Sequence, residues 1–203
     1  MSNLTLYTNP MSRGRIARWM LEELGEPYET VVLEFGTTMK APAFLAINPM
    51  GKVPTLKHGD TIVTESAAIC AYLADAFPHK NLAPPLENRG AYYRWLFFAA
   101  GPMEAAVTNK SQGFVSDKKQ MLGYGTFEDT MNALEYGVDR TDYICGDQFT
   151  AADVYVGSQI GWGLMFGTID KRPAFEAYVA RLRARPAAQR ASELDDALMP
   201  KKT

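Results

Sequence analysis

The chain has 203 residues, of which 47% are hydrophobic and 22% charged, with a formal net charge of −2. That balance belongs to a folded chain and excludes a disordered or fibrous one, while the length admits one large domain or two modest ones. Residues 1–80 carry 7 basic and 8 acidic side chains and residues 81–203 carry 14 and 15, so neither half offers the positive surface that nucleic acid requires, and no such partner is expected.

The opening residues, MSNLTLYTNP, show no basic segment followed by an apolar run, and no stretch has the length needed to cross a bilayer. No membrane association and a cytoplasmic location are therefore expected. Leu4 to Tyr7 reads as a short strand, and Ile16, Met20 and Leu24, spaced by four, mark a helix from Ser12 to Leu24. Gly25 tolerates the backbone that ends a helix and Pro27 prevents its resumption; Tyr28 to Leu33 then supplies a second strand rich in Val and Thr. The result is a βαβ unit.

Residues 34–52 place Gly36, Pro42, Pro49 and Gly51 around one apolar piece, AFLAI, which predicts a loop with a turn or two of helix. Val53 to Leu56 and Thr61 to Thr64 flank Gly59-Asp60, a hairpin signal. Ser66 is the expected cap of the next helix, whose inward positions are Ala67, Cys70, Ala71, Leu73 and Ala74. PHKNLAPPLEN is rich in proline and polar residues and marks the end of a first domain, 1–80, before an all-helical second domain, 81–203. There, an aromatic helix spans Arg89 to Val107 with a bend at Pro102, and a second runs from about Met121 to Val138. A third opens at Thr150 and Asp153 as a capping box stapled by Phe149. Two short helices, 174–184 and 186–191, follow.

Cys70 and Cys145 stand far apart without CxxC spacing, and His58 and His79 are isolated, so neither a disulfide framework nor a metal site is expected. Ser12 opens the first helix, where a hydroxyl can serve as a cap or as a hydrogen-bond donor aided by the helix dipole. Ser66 stands at another helix start, a place suited to a carboxylate. Val53 precedes a proline, which drives it to extended geometry and leaves its backbone available for pairing.

Four motifs, taken in order, carry a resemblance: Y-T-N-P-M-S-R at the first turn, N-P-x-G-K-V-P-T-L before the hairpin, T-E-S-A-A-I at the third helix and G-D-Q-F-T-A-A-D in the helical half. With the order βαβ, loop, ββα, they make the chain similar to the cytosolic glutathione S-transferases of the bacterial type with serine at the first-turn catalytic position. The resemblance implies an α/β thioredoxin-like N-terminal domain followed by an all-α C-terminal domain, with glutathione as co-substrate and no metal. It implies a cis Pro54 with Val53 pairing to the cysteinyl backbone of glutathione. Ser66 would receive the γ-glutamyl carboxylate, Glu65 the ammonium group, and Lys52, in preference to Lys40, the glycine carboxylate; Asn48 is expected to brace the loop.

For the thiolate, Ser12 is the expected donor, with the Arg13 amide adding positive potential and Tyr7 a competing hydroxyl. A serine there argues against a mixed disulfide with the protein. The electrophile is expected to be hydrophobic and to meet Met11, Phe98, Met103, Val107, Trp162 and Phe166 between the domains, with Gly161, Gly163 and Gly167 leaving space beside the last two. The family resemblance also implies a homodimer. Two other readings stay open: a non-catalytic glutathione-binding or regulatory member, and a glutathione-dependent peroxidase, isomerase or lyase.

Overall fold

The structure is a computed structural model and describes residues 3–199. In chain order the elements are β1 (Leu4–Thr8), α1 (Gly14–Leu24), β2 (Tyr28–Val32), α2 (Pro42–Leu45), β3 (Thr55–His58), β4 (Thr61–Thr64) and α3 (Ser66–Ala76). They continue with α4 (Gly90–Phe98), α5 (Glu104–Ser111), α6 (Phe127–Val138), α7 (Ala151–Phe166), α8 (Pro173–Arg183) and α9 (Pro186–Asp196). No helix among the described residues is long and apolar enough to cross a membrane.

The chain divides into two compact units, one holding the described residues up to Lys80 and those from Ala184 onward, the other Asn81–Arg183. In the first, four strands form a mixed sheet in the order β2-β1-β3-β4, parallel between β1 and β2 and antiparallel elsewhere. Alternation along β1 buries Leu4, Leu6 and Thr8, while Tyr7 points to the opposite face. On the first face, α1 packs against β1 and α3 and buries Ile16, Ala17, Met20, Leu21 and Leu24; each large apolar side chain withdrawn from water contributes about 1.5–3 kcal/mol. On the other, Leu33, Met39 and Phe44 form a smaller cluster joined by Tyr7 and Val53. Gly25, at φ +67, ends α1 in the left-handed conformation expected of it. This is the thioredoxin-like arrangement, and the helical segments that follow complete the expected fold class.

The last helix departs from the expected boundary. A helical domain of 81–203 was anticipated, yet α9 packs on α1 in the first unit. Charge pairing accompanies this packing. Arg18 meets Asp195 at 2.7 Å, Arg15 meets Asp196 at 2.7 Å, Arg185 grips both oxygens of Glu23 at 2.7 and 2.8 Å, and Arg190 reaches Glu22 at 2.7 Å.

In the second unit α7 is the central element, all of its first seven residues buried and α4 and α8 packed against it. The Thr150–Asp153 capping box forms as expected. Asp153 is fully buried and accepts from the Thr150 amide at 2.8 Å, the Ile144 amide at 2.8 Å and the Tyr178 hydroxyl at 2.7 Å. The aromatic helix is not continuous: a π-helical segment, Ala99–Met103, carries Pro102 between α4 and α5. A proline has no amide to close the regular turn, so the ladder widens there. The helix expected from Met121 starts only at Phe127, because Gly123 and Gly125 interrupt the chain and Thr126 caps α6 by accepting from the Asp129 amide at 3.0 Å.

Candidate functional site

Strand register gathers the singled-out residues of the first unit at one end of the sheet. Tyr7 is paired with Thr55 and Thr55 with Thr64. The turn after β1, the Val53-Pro54 peptide and the Glu65–Ser66 junction are therefore all attached to one row of the sheet.

The turn after β1 is built by Asn9, which is 2% exposed. Its Nδ2 donates to the Leu33 carbonyl at 2.7 Å and its Oδ1 accepts from the Met11 amide at 2.9 Å. The Asn9 carbonyl accepts twice from Ser12, from the hydroxyl at 2.7 Å and the amide at 3.1 Å. The Ser12 oxygen in turn accepts from the Gly14 amide at 2.9 Å and so braces the turn before α1; the helix expected from Ser12 begins at Gly14, with Arg13 in the capping position. Gly14 permits the tight fit, because a Cβ there would lie 1.9 Å from Thr8 Oγ1. That Thr8 hydroxyl is buried without a hydrogen-bond partner among the described residues. Arg13 and Met11 are exposed on the same turn. Tyr7, the competing hydroxyl, is half-buried with its ring 5.5 Å from Phe44 in the apolar cluster of the second face.

The Val53-Pro54 peptide is cis, as the resemblance implied. Val53 is half-buried and lies outside β3, which begins at Thr55. Asn48, 4% exposed, braces this loop as expected: Nδ2 donates to the Lys52 carbonyl at 2.9 Å and to Thr55 Oγ1 at 3.0 Å, and Oδ1 accepts from the Met50 amide at 3.0 Å. The two lysines differ. Lys40 Nζ donates to the Met50 carbonyl at 2.9 Å and so ties the loop together, whereas Lys52 is exposed at its tip. Gly51, at φ +55, brings the backbone close to Met39, whose carbonyl oxygen would lie 2.6 Å from a Cβ.

At α3 the expectation needs correction. Ser66 is not the cap; it is the first helical residue, 8% exposed, and Glu65 occupies the capping position with φ +66 and no side-chain cap bond. The first amides of α3 therefore point outward without an internal acceptor, and an exposed carboxylate stands beside them on a backbone that non-glycine residues rarely adopt.

The residues expected to meet the electrophile are placed as follows. Met11 and Phe166 are exposed at 58% and 70%, and Phe98, Val107 and Trp162 are half-buried, Phe98 lying edge-on to Trp95. Met103 is a correction: at 2% exposure it belongs to the core of the helical unit and lacks the accessible surface a wall residue needs. The glycines are another. Ile169 fills the space at Gly163, Val179 and Arg183 approach Gly161, and Gly167 at φ +67 ends α7, so these positions serve close packing and termination.

Cys70 is fully buried and its thiol is pushed up by burial; Cys145 is pushed up to about 12, by burial first and then by the Asp153 charge. Sequence reasoning gave no role to Asn9 or Gly14. The Asn-Pro pair was a usable turn signal for the first, whereas the second is visible only once Thr8 is placed.

Residues 2–75 match the family described as glutathione S-transferase, N-terminal domain. Among sequence relatives, the glutathione S-transferase GstA of Escherichia coli O157:H7 is 27% identical over 150 residues, covering 72% of this chain and 75% of the relative. Among solved structures, a glutathione transferase from Methylococcus capsulatus str. Bath is 28% identical with a TM-score of 0.80, covering 96% of this chain and 99% of the other. A sphingomonad glutathione S-transferase complexed with glutathione is 28% identical with a TM-score of 0.77, covering 95% and 98%. Through its first domain, its relatives and its fold over nearly the whole length, the chain is similar to the glutathione S-transferases.

Proposed function

We propose that this protein is a glutathione transferase in which glutathione lies along Val53 as an added extended segment and its thiolate, held beside Ser12, attacks a hydrophobic electrophile. The observation that carries the reading is the shared row of Tyr7, Thr55 and Thr64, which attaches the Ser12 turn, the cis Val53-Pro54 peptide and the open start of α3 to one end of the sheet. The γ-glutamyl carboxylate meets the free amides at Ser66, where the helix dipole favours an anion. Glu65 accepts from the ammonium group, and Lys52 takes the glycine carboxylate. In the conjugation step the sulfur lone pair forms the new bond to carbon, the leaving group departs with its electron pair, and the thiol proton passes to solvent.

Ser12 has one proton, now donated to the Asn9 carbonyl. Turning it to the sulfur stabilises the thiolate, while the Ser12 amide remains on the Asn9 oxygen and holds the turn. The same observation favours a second reading, a member that binds glutathione without turnover, in which Ser12 only braces the turn before α1. Calorimetry with glutathione, followed by an assay with an activated aryl chloride, separates the two. Binding with turnover supports the transferase, binding alone the second reading, and absence of saturable binding rejects both. As for the family's other members, a homodimer and a cytoplasmic location are part of the proposal, and sedimentation checks the first.

A further inference from the structure

Arg15, in the first turn of α1, reaches back to the loop that carries Ser12. Its Nε donates to the Pro10 carbonyl at 2.5 Å and its backbone amide to the Ser12 carbonyl at 3.3 Å. The Pro10–Met11 peptide is thereby pinned at both ends, since the Met11 amide donates to Asn9 Oδ1 at 2.9 Å. A peptide unit is planar, so fixing its oxygen and its nitrogen fixes the direction in which the chain runs on to Ser12.

An arginine side chain has many rotamers, and one partly in water keeps a single rotamer only when a partner holds its far end. Asp196 is that partner: Arg15 Nη2 donates to Asp196 Oδ1 at 2.7 Å, the two side chains being 27% and 66% exposed. Asp196 is set by its neighbour, because Asp195 is fully buried against Arg18, which shares a face of α1 with Arg15. Two arginines of α1 thus meet two consecutive aspartates at the end of α9. The inner pair anchors the helix, and the outer pair extends to the turn.

We propose that Arg15 is a positioning residue for the glutathione thiolate, holding the Pro10–Met11 peptide so that the Ser12 hydroxyl faces the sulfur, and that Asp196 fixes Arg15 in this role. This rests on the reading that Ser12 stabilises the thiolate. When that hydroxyl turns from the Asn9 carbonyl to sulfur the turn loses one bond, and the Arg15 bond to the adjacent carbonyl keeps its shape.

The test is ultraviolet titration of bound glutathione beside steady-state kinetics with an activated aryl chloride. Arg15→Met is expected to lower kcat by about tenfold or more and to raise the pKa of the bound thiol, with affinity for glutathione within about twofold. Asp196→Asn, exposed and of the same shape, should act in the same direction by about threefold, and it keeps the test open where Arg15→Met does not fold. In a Ser12→Ala background Arg15→Met should add nothing to the thiol pKa, because Arg15 acts through the hydroxyl. Arg190→Gln breaks another α1–α9 pair, that with Glu22, and should leave kcat and the thiol pKa unchanged. If Ser12→Ala does not move the thiol pKa, the Ser12 reading and this proposal fall together; if it does and neither Arg15→Met nor Asp196→Asn follows, the proposal alone falls. A full shift by Arg15→Met in the Ser12→Ala background, or an equal loss in Arg190→Gln, would also overturn it.

Discussion

Arg18 and Asp195, 177 positions apart in the chain, form an ion pair of 2.7 Å whose side chains are only 3% and 1% exposed. The guanidinium also reaches the Tyr28 hydroxyl at 3.1 Å, and Tyr28 in turn donates to Glu22 at 2.6 Å. Breaking a buried pair from one side leaves a charge without compensation, at a cost of about 3–5 kcal/mol. Asp195→Ala is therefore expected to lower the denaturation midpoint sharply. Arg18→Met combined with Asp195→Leu should recover much of the loss, because the double change removes both charges. Urea melts of the three variants check this, and equal stability of Asp195→Ala and the parent protein counts against it.

Ser12→Ala is expected to lower turnover by about 10- to 1,000-fold and to raise the pKa of bound glutathione, leaving affinity for the tripeptide within a few-fold. Loss of the turn's brace alone would cost about 1 kcal/mol of stability with turnover preserved. Ultraviolet titration of the bound thiolate, beside steady-state kinetics, tells the two effects apart.

Glu65 is held at φ +66, and a non-glycine residue there costs about 1–3 kcal/mol. Glu65→Gly relieves that backbone and removes the carboxylate, so the variant should be as stable as the parent or more so, yet bind glutathione more weakly. Glu65→Ala keeps the strain and loses the ligand contact as well. A thermal melt beside a binding isotherm measures both; tight binding by either variant removes Glu65 from the ligand account.

An alanine Cβ at Gly137 would lie 2.5 Å from two ring atoms of Trp95, which is 4% exposed and has no room to turn. Overpacking costs about 1–3 kcal/mol, more than the helix propensity gained. Gly137→Ala should destabilise the helical unit, and Trp95→Leu in the same chain should cancel part of that cost. A double-mutant cycle reads the coupling directly.

Both thiols are pushed up by burial, that of Cys145 to about 12, so neither forms a thiolate near neutral pH. The folded protein is expected to resist alkylation by iodoacetamide at neutral pH and to take up two equivalents once denatured. Fast labelling of native protein, followed by mass spectrometry, would show the expectation to be wrong.

Local chemistry made much of this molecule legible in advance. Gly25 and Pro27 divide α1 from β2, Gly59-Asp60 turns the hairpin, and Thr150 with Asp153 starts α7, each through an interaction spanning a few residues. The unforeseen features depend on how segments pack once folded. Nothing near Arg18 announces Asp195, and even over six residues the contact of Ile169 with Gly163 and of the Thr8 hydroxyl with Gly14 appears only when the turn between them is placed. Ser66 shows a subtler limit: a serine before an apolar run signals a helix start correctly, but the backbone turn at Glu65 moved it one position inside.

The attachment of α9 to α1 bears on how the protein is made. Synthesis proceeds from the first residue, and domains generally fold as they leave the ribosome. Here the sheet and α1 emerge early, but the carboxylate that answers Arg18 lies at residue 195. The nascent unit must wait, its guanidinium hydrated and its surface open, until the whole helical segment has followed it out of the exit tunnel.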